Sequence, residues 1–124
     1  MLKRSSQTEH DNKVKALADH LIAHNYSNVR ADVKGYVCPE KITWKATGSG
    51  YIPDATATAG RPQIFEVETE DSINDRHTED QWTLFAAHAK NTGGAFTVVV
   101  PYGCLKIAKA RLHQLNLEAE VWEV

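Results

Sequence analysis

Three acidic residues in the middle of the chain have the types and spacing of a metal-binding site. Glu66 and Glu68 stand two residues apart in a strand-like run, so both point to one face of that strand. Asp54, in the preceding strand-like run, joins them if the intervening hairpin is centred on Gly60 or Arg61 rather than between them. Carboxylates held together repel one another unless a cation lies among them. Oxygen ligands without His or Cys favour Mg²⁺ or Mn²⁺, and such a metal activates water for phosphodiester hydrolysis.

The alternative for the same three residues is a solvated strand face. Their apolar neighbours Ile64, Phe65 and Val67 favour an interior strand instead. A bare carboxylate is costly in an interior strand, and this cost favours a functional site.

The residues around these acids carry a family resemblance. Ile52-Pro53-Asp54-Ala55, followed by Ile64-Phe65-Glu66-Val67-Glu68, resembles the PD-(D/E)XK signature of restriction-endonuclease-like and Holliday-junction-resolvase-like nucleases. The resemblance implies a metal-dependent nuclease that hydrolyses DNA phosphodiester bonds with Mg²⁺ or Mn²⁺. It also implies that Asp54, Glu66 and Glu68 are both catalytic residues and metal ligands.

The chain departs from that signature at Glu68, where the family usually has a lysine that orients the attacking water. The glutamate indicates a second metal, a carboxylate general base or an inactive site. A positive charge supplied from elsewhere in the chain is a further option, and the candidates are Lys34, Lys45, Arg76 and Lys90.

Two more polar residues match positions of the family. Gln81 corresponds to the polar residue that often follows the motif and is a candidate catalytic residue. Glu9 corresponds to the acid that some members carry on their first helix. Each has a competing use, because each also fits a capping box that opens a helix, Ser6 to Glu9 and Thr78 to Gln81.

Hydrophobic periodicity and turn residues predict the elements that position these side chains. A capped helix from Ser6 to about Asn25 precedes short strand-like pieces, a hairpin, a second helix, a buried strand, a third helix and a last edge strand. The strand-like pieces and the hairpin strands are residues 29–33, 36–37, 42–44, 51–58 and 63–69. The later elements are a helix from 78 to about 91, a strand over 95–100, a helix over 105–115 and a strand over 118–123.

The apolar run from Ala95 to Val100 is typical of a strand covered on both faces, which requires helices on each side of its sheet. With the order αβββαβαβ, the pattern predicts one α/β domain over residues 1–124. Its expected architecture is a restriction-endonuclease-like three-layer α/β/α sandwich with a mixed central sheet.

Composition limits the partners. The 124 residues are 42% hydrophobic and 24% charged, as in globular domains. The formal net charge of −2 means that DNA must be contacted through a local patch. Lys106, Lys109 and Arg111 are candidates for that patch, although a basic helix face is usually only solvated.

No apolar run reaches the length of a membrane span, and a cytoplasmic location is expected. The distant Cys38 and Cys104 are expected to be small buried hydrophobic residues. His20 and His24 lack a third zinc ligand, which favours a solvent-facing pair.

Two other functions compete with the nuclease. One is a catalytically degenerate nuclease-fold module that binds nucleic acid or a protein partner, favoured by the missing lysine and the mildly acidic charge. The other is a metal-free structural subunit of a larger complex. The sequence leaves the DNA substrate and the formation of a homodimer open.

Overall fold

The computed structural model describes residues 5–124. This part of the chain forms three helices and seven strands, and the first five strands lie between the first and second helices. The helices are α1 (Ser5–Ala23), α2 (Arg76–Thr92) and α3 (Leu105–Gln114). The strands are β1 (Ser27–Ala31), β2 (Ile42–Thr43), β3 (Gly50–Tyr51), β4 (Ala55–Ala59), β5 (Arg61–Val67), β6 (Ala95–Val100) and β7 (Glu120–Glu123).

Five strands form one mixed sheet in the order β1-β4-β5-β6-β7. The strands β1, β4 and β5 pair antiparallel, whereas β5, β6 and β7 pair parallel. The predicted interior position of β6 and edge position of β7 are confirmed. Between β1 and β4 the chain also forms β2, within the strand-like piece predicted over residues 42–44, and β3, and these two strands pair in a separate two-stranded sheet.

The hairpin between β4 and β5 is centred on Gly60, one of the two centres that bring the acids together. Gly60 has a φ of 74°, which a residue without a Cβ adopts readily, and Ala59 pairs with Arg61 across it. The register continues to the pair of Ala55 and Phe65. One step further along both strands, Asp54 stands opposite Glu66.

Helices cover both faces of the main sheet, as the apolar β6 predicts. On one face, α1 packs Val14 and Leu21 against a core that includes Phe65 of β5. On the other face, α2 and α3 share a core with the sheet, which includes Trp82 and Leu112. The chain therefore has a mixed α/β fold with three helices and a five-stranded mixed sheet.

Both predicted capping boxes are wrong. α2 begins at Arg76, two residues before Thr78, and its N-cap is Asp75, whose side chain accepts a hydrogen bond from the His77 N–H. In α1 the helix already includes Ser5, so Ser6 lies inside it. The predicted glycine end of α2 is confirmed, because Gly93 adopts the left-handed conformation.

Three smaller expectations have mixed outcomes. Cys104 is buried as expected, but Cys38 is exposed, so that prediction is wrong. His20 and His24 are both exposed, as predicted. Within residues 5–124, no helix combines the length and apolar character needed to cross a membrane.

Candidate active site

Two cross-strand hydrogen bonds hold the carboxylates of Asp54 and Glu66 where β4 begins and β5 ends. The Asp54 N–H donates to Glu66 Oε1 over 2.8 Å. The Val67 N–H donates to Asp54 Oδ2, also over 2.8 Å. Each carboxylate thus binds a backbone N–H of the opposite strand at the end of the antiparallel ladder. Their separation is therefore determined by the backbone register.

Glu68 lies just past β5, and its backbone continues the parallel pairing with β6. Its N–H donates to the Val99 carbonyl oxygen over 2.9 Å. Its side chain accepts from the Ser72 hydroxyl over 2.7 Å and from Trp82 Nε1 over 3.0 Å. Both carboxylate oxygens of Glu68 therefore have a donor from the segment that leads into α2 or from α2 itself.

His10 of α1 completes the cluster from the other side of the sheet. Its Nε2 lies 3.2 Å from Asp54 Oδ2 and 3.1 Å from the Val67 carbonyl oxygen. A carbonyl oxygen only accepts hydrogen bonds, so Nε2 carries a hydrogen that is shared between the two acceptors. His10 therefore connects α1 to the strand end that carries the acids.

The sequence contained a signal for His10 that the motif comparison missed. His10 precedes Val14 by four residues, so it extends the apolar stripe that α1 buries against the sheet. Glu9, the residue suggested by the family pattern, points elsewhere. It is exposed and pairs with Lys13 at 3.6 Å.

Other predicted site residues are not joined to these acids. Gln81 is half-buried on α2 and, in the described part of the chain, forms no hydrogen bond with the three carboxylates. None of the four candidate cations pairs with them among residues 5–124, namely Lys34, Lys45, Arg76 and Lys90. The described basic group that contacts the cluster is the imidazole of His10.

Burial and repulsion from neighbouring acids determine the pKa of the Glu66 carboxyl. Glu66 is only 3% exposed. Burial raises the pKa of the Glu66 carboxyl well above its usual range, and the charges of Asp54 and Glu68 raise it further. The hydrogen bond from the Asp54 N–H offsets part of this effect.

Glu68 and His10 also titrate away from their ordinary ranges. Burial raises the pKa of Glu68 to about 7, although the hydrogen bonds from Ser72 and Trp82 oppose the change. The hydrogen bond to Asp54 raises the pKa of His10 to about 9 and outweighs the effect of burial. Perturbed groups of opposite charge that lie together in this way are typical of functional sites.

The donor set fits a divalent oxygen-binding cation only as a partial shell. Among residues 5–124, no three His, Cys, Asp or Glu side chains form a ready metal-binding group. Asp54 and Glu66 each use one carboxylate oxygen to accept a backbone N–H of the opposite strand, whereas both oxygens of Glu68 have donors. Mg²⁺ is often held by one or two carboxylates, with water and substrate phosphate as its other ligands. Asp54 and Glu66 fit that mode.

Comparison of the chain with family models, with curated proteins and with solved structures found no match.

Proposed function

We propose that this protein is a metal-dependent nuclease that hydrolyses DNA phosphodiester bonds with Mg²⁺ or Mn²⁺. The observation that supports this most is that the carboxylates of Asp54 and Glu66 each accept a hydrogen bond of 2.8 Å from a backbone N–H of the opposite strand, which holds the two acids side by side. Two carboxylates held by the backbone beside a third buried acid form a concentration of negative charge that a divalent cation would relieve. The resemblance of the surrounding sequence to the PD-(D/E)XK signature supports DNA as the substrate.

The roles of the residues follow from their hydrogen bonds. Asp54 and Glu66 would hold the cation through the oxygens that do not bind the backbone. Glu68 would act as a proton acceptor or as an additional ligand, since a pKa of about 7 lets it exchange a proton near neutral pH. Gln81 would position water or phosphate from α2.

When bound, the divalent cation would polarise the phosphate and lower the pKa of an attacking water. His10 would keep Asp54 in place through its Nε2 hydrogen. The imidazole would also supply the positive charge that the family usually takes from its lysine.

Cleavage assays on isosteric variants test the proposal. Supercoiled, single-stranded and branched DNA would be incubated with Mg²⁺ or Mn²⁺ and the native protein, Asp54→Asn or Glu66→Gln. Both substitutions keep an oxygen that can accept the backbone hydrogen bond, but they remove the charge that holds the cation. We expect each to lower cleavage by about 100-fold or more.

Glu9→Gln is the matched control, because Glu9 is an exposed acid on α1 that pairs only with Lys13 among the described side chains. It should cleave like the native protein. Retained cleavage in Asp54→Asn or Glu66→Gln, with circular dichroism unchanged, would refute the assigned mechanism.

A catalytically degenerate module that binds nucleic acid or a protein partner is the second candidate. The observation that favours it is the engagement of both Glu68 oxygens by Ser72 and Trp82, which gives this acid a structural use. Mn²⁺ titration followed by electron paramagnetic resonance separates the two candidates. A nuclease binds Mn²⁺ and loses it in Asp54→Asn, whereas the degenerate module needs no metal.

A further inference from the structure

An exposed aromatic side chain, Tyr102, stands at the same edge of the sheet as the acidic cluster. β5 and β6 are parallel, with Val67 opposite Val99, so both strands end at this edge. Glu68 follows directly on β5, and Tyr102 lies two residues beyond the end of β6. With strands about 4.8 Å apart and about 3.3 Å per residue, the backbones of Glu68 and Tyr102 are roughly 8–10 Å apart. That distance is within the reach of neighbouring nucleotides on one DNA strand.

The ring of Tyr102 takes little part in the packing of the protein. Tyr102 is 86% exposed, which is the highest value among the exposed large hydrophobic residues of the described chain. A tyrosine in a core or an internal ring stack would be largely buried. Tyr102 is therefore available to a ligand, and its removal should cost little stability.

The loop that carries Tyr102 is nevertheless held by hydrogen bonds. The Tyr102 N–H donates to the Val124 carbonyl oxygen over 2.9 Å. The next N–H, of Gly103, donates to Glu123 Oε2 over 2.8 Å. A ring on a fixed loop loses little conformational entropy when it binds, and this property suits a stacking residue.

The surroundings favour a nucleic acid over an apolar protein partner. Lys106, four residues after Tyr102 and in the first turn of α3, is exposed and forms no ion pair among residues 5–124. An exposed lysine so close in sequence to an exposed aromatic residue supplies the two groups that bind single-stranded nucleic acid, a cation for phosphate and a π-face for a base.

We propose that Tyr102 stacks on a nucleobase of the substrate strand and holds that strand beside the acidic cluster. This inference rests on the proposed nuclease function and identifies an unpaired DNA segment as part of the substrate. Tyr102 is thus a positioning residue, and the stacked base must be free of a complementary strand.

Binding measured without cleavage tests the inference. The dissociation constant of a short fluorescent single-stranded oligonucleotide would be measured by anisotropy, with Ca²⁺ in place of Mg²⁺, for the native protein, Tyr102→Phe and Tyr102→Ala. We expect Tyr102→Ala to bind about 10- to 100-fold more weakly, as the loss of one stacked base requires. Tyr102→Phe keeps the ring and should bind like the native protein.

Val37→Ala provides the control, because Val37 is another exposed hydrophobic residue, 67% exposed, in the segment between β1 and β2. Its affinity should not change. Equal binding by Tyr102→Ala and the native protein would overturn the inference, as would equal losses in Tyr102→Phe and Tyr102→Ala or no binding by any form.

The outcomes separate this inference from the nuclease proposal. A native protein that binds DNA through Tyr102 but never cleaves it would refute only the nuclease. A native protein that cleaves while Tyr102→Ala binds and cleaves equally would refute only the stacking role. Analytical ultracentrifugation of the native protein and of Tyr102→Ala tests a third outcome. If the native protein is a dimer that Tyr102→Ala dissociates without loss of DNA affinity per site, this surface is a self-association site and the inference is overturned.

Discussion

His10 Nε2 lies 3.2 Å from Asp54 Oδ2, so one hydrogen bond links α1 to the acidic cluster across 44 positions of sequence. The same nitrogen lies 3.1 Å from the Val67 carbonyl oxygen, and both acceptors belong to the end of the β4–β5 hairpin. The helix therefore contributes a charged contact as well as apolar packing. The imidazole of His10 thus offsets negative charge in the acidic cluster, although α1 is far from these acids in sequence.

Replacement of His10 should lower the stability of the protein, because the hydrogen bond to Asp54 is lost. We expect His10→Ala to lower the free energy of unfolding by about 1–2 kcal/mol below neutral pH, because Asp54 loses a charge-assisted donor. His10→Gln should lose less, since its amide keeps an N–H donor without the charge. Urea denaturation followed by circular dichroism measures both. Glu9→Gln, on the exposed side of α1, should change little, and a similar loss in that variant would contradict the assignment.

The stability of the metal-free protein should fall as the pH rises from about 4.5 to about 9. Folding raises the pKa of Glu68 from 4.5 to about 7 and the pKa of His10 from 6.5 to about 9. For both groups, the linked stability is fully present below the unfolded pKa and is lost as the pH rises through the folded pKa. Urea denaturation in the presence of a chelator measures the trend.

Comparison of the native protein with Glu68→Gln measures the contribution of Glu68 to this pH dependence. The difference in their unfolding free energies cancels the titrating groups that do not interact with Glu68, whereas part of the contribution of Glu66 and His10 remains because Glu68 shifts both of their pKa values. The native protein should lose stability relative to the variant between about pH 4.5 and about pH 7. A difference that does not depend on pH would show that the pKa of Glu68 is not raised by folding.

Gln81 provides a separate test of site membership. Because it has no hydrogen bond to the three carboxylates within the described residues, Gln81→Ala should leave Mn²⁺ affinity unchanged. Its proposed role toward water or phosphate predicts a lower cleavage rate at saturating metal. Metal affinity from paramagnetic resonance and single-turnover cleavage separate the two effects. A weaker metal affinity would place Gln81 nearer to the cation than its hydrogen bonding indicates.

The sequence limited the hairpin centres that pair the acids to Gly60 and Arg61 but did not choose between them, and the structure places the centre at Gly60. Gly60 is the residue in its connection that adopts a positive φ readily, and a turn centred there sets Asp54 opposite Glu66. The apolar run of β6 likewise predicted an interior strand, since a strand covered on both faces lacks polar alternation. These features depend on local chemistry that the sequence contains.

The features that the sequence did not predict depend on longer-range or weaker signals. Periodicity places His10 on the buried stripe of α1, but its contact with Asp54 arises because α1 packs across the hairpin, which periodicity does not specify. The pairing of β2 with β3 in a second sheet was not predicted, because each strand has only two residues and is too short for an alternating pattern. The start of α2 was misplaced because both Asp75 and Thr78 are good N-cap residues, and the preceding loop decided between them.

Introducing the lysine of the PD-(D/E)XK signature at position 68 should destabilise this protein. Glu68 is 5% exposed and accepts hydrogen bonds from Ser72 and Trp82. An ammonium group has no acceptor for either donor and would be charged in a buried place. We expect Glu68→Lys to lower the free energy of unfolding by about 2–4 kcal/mol relative to Glu68→Gln, which keeps an acceptor oxygen.

A double variant tests whether the hydrogen bond from Trp82 is the reason that Glu68→Lys destabilises the protein. Adding Trp82→Phe removes the indole N–H that Glu68 accepts, so it should cost less in the Glu68→Lys background than in the native background. Urea denaturation of the four proteins gives this coupling directly. Additive costs would mean that the Trp82 hydrogen bond does not determine which residue fits at position 68. A Glu68→Lys protein that is as stable as the native one would show that the surroundings of position 68 do not require the glutamate. Faster DNA cleavage by the same variant would show that the site can use a lysine there.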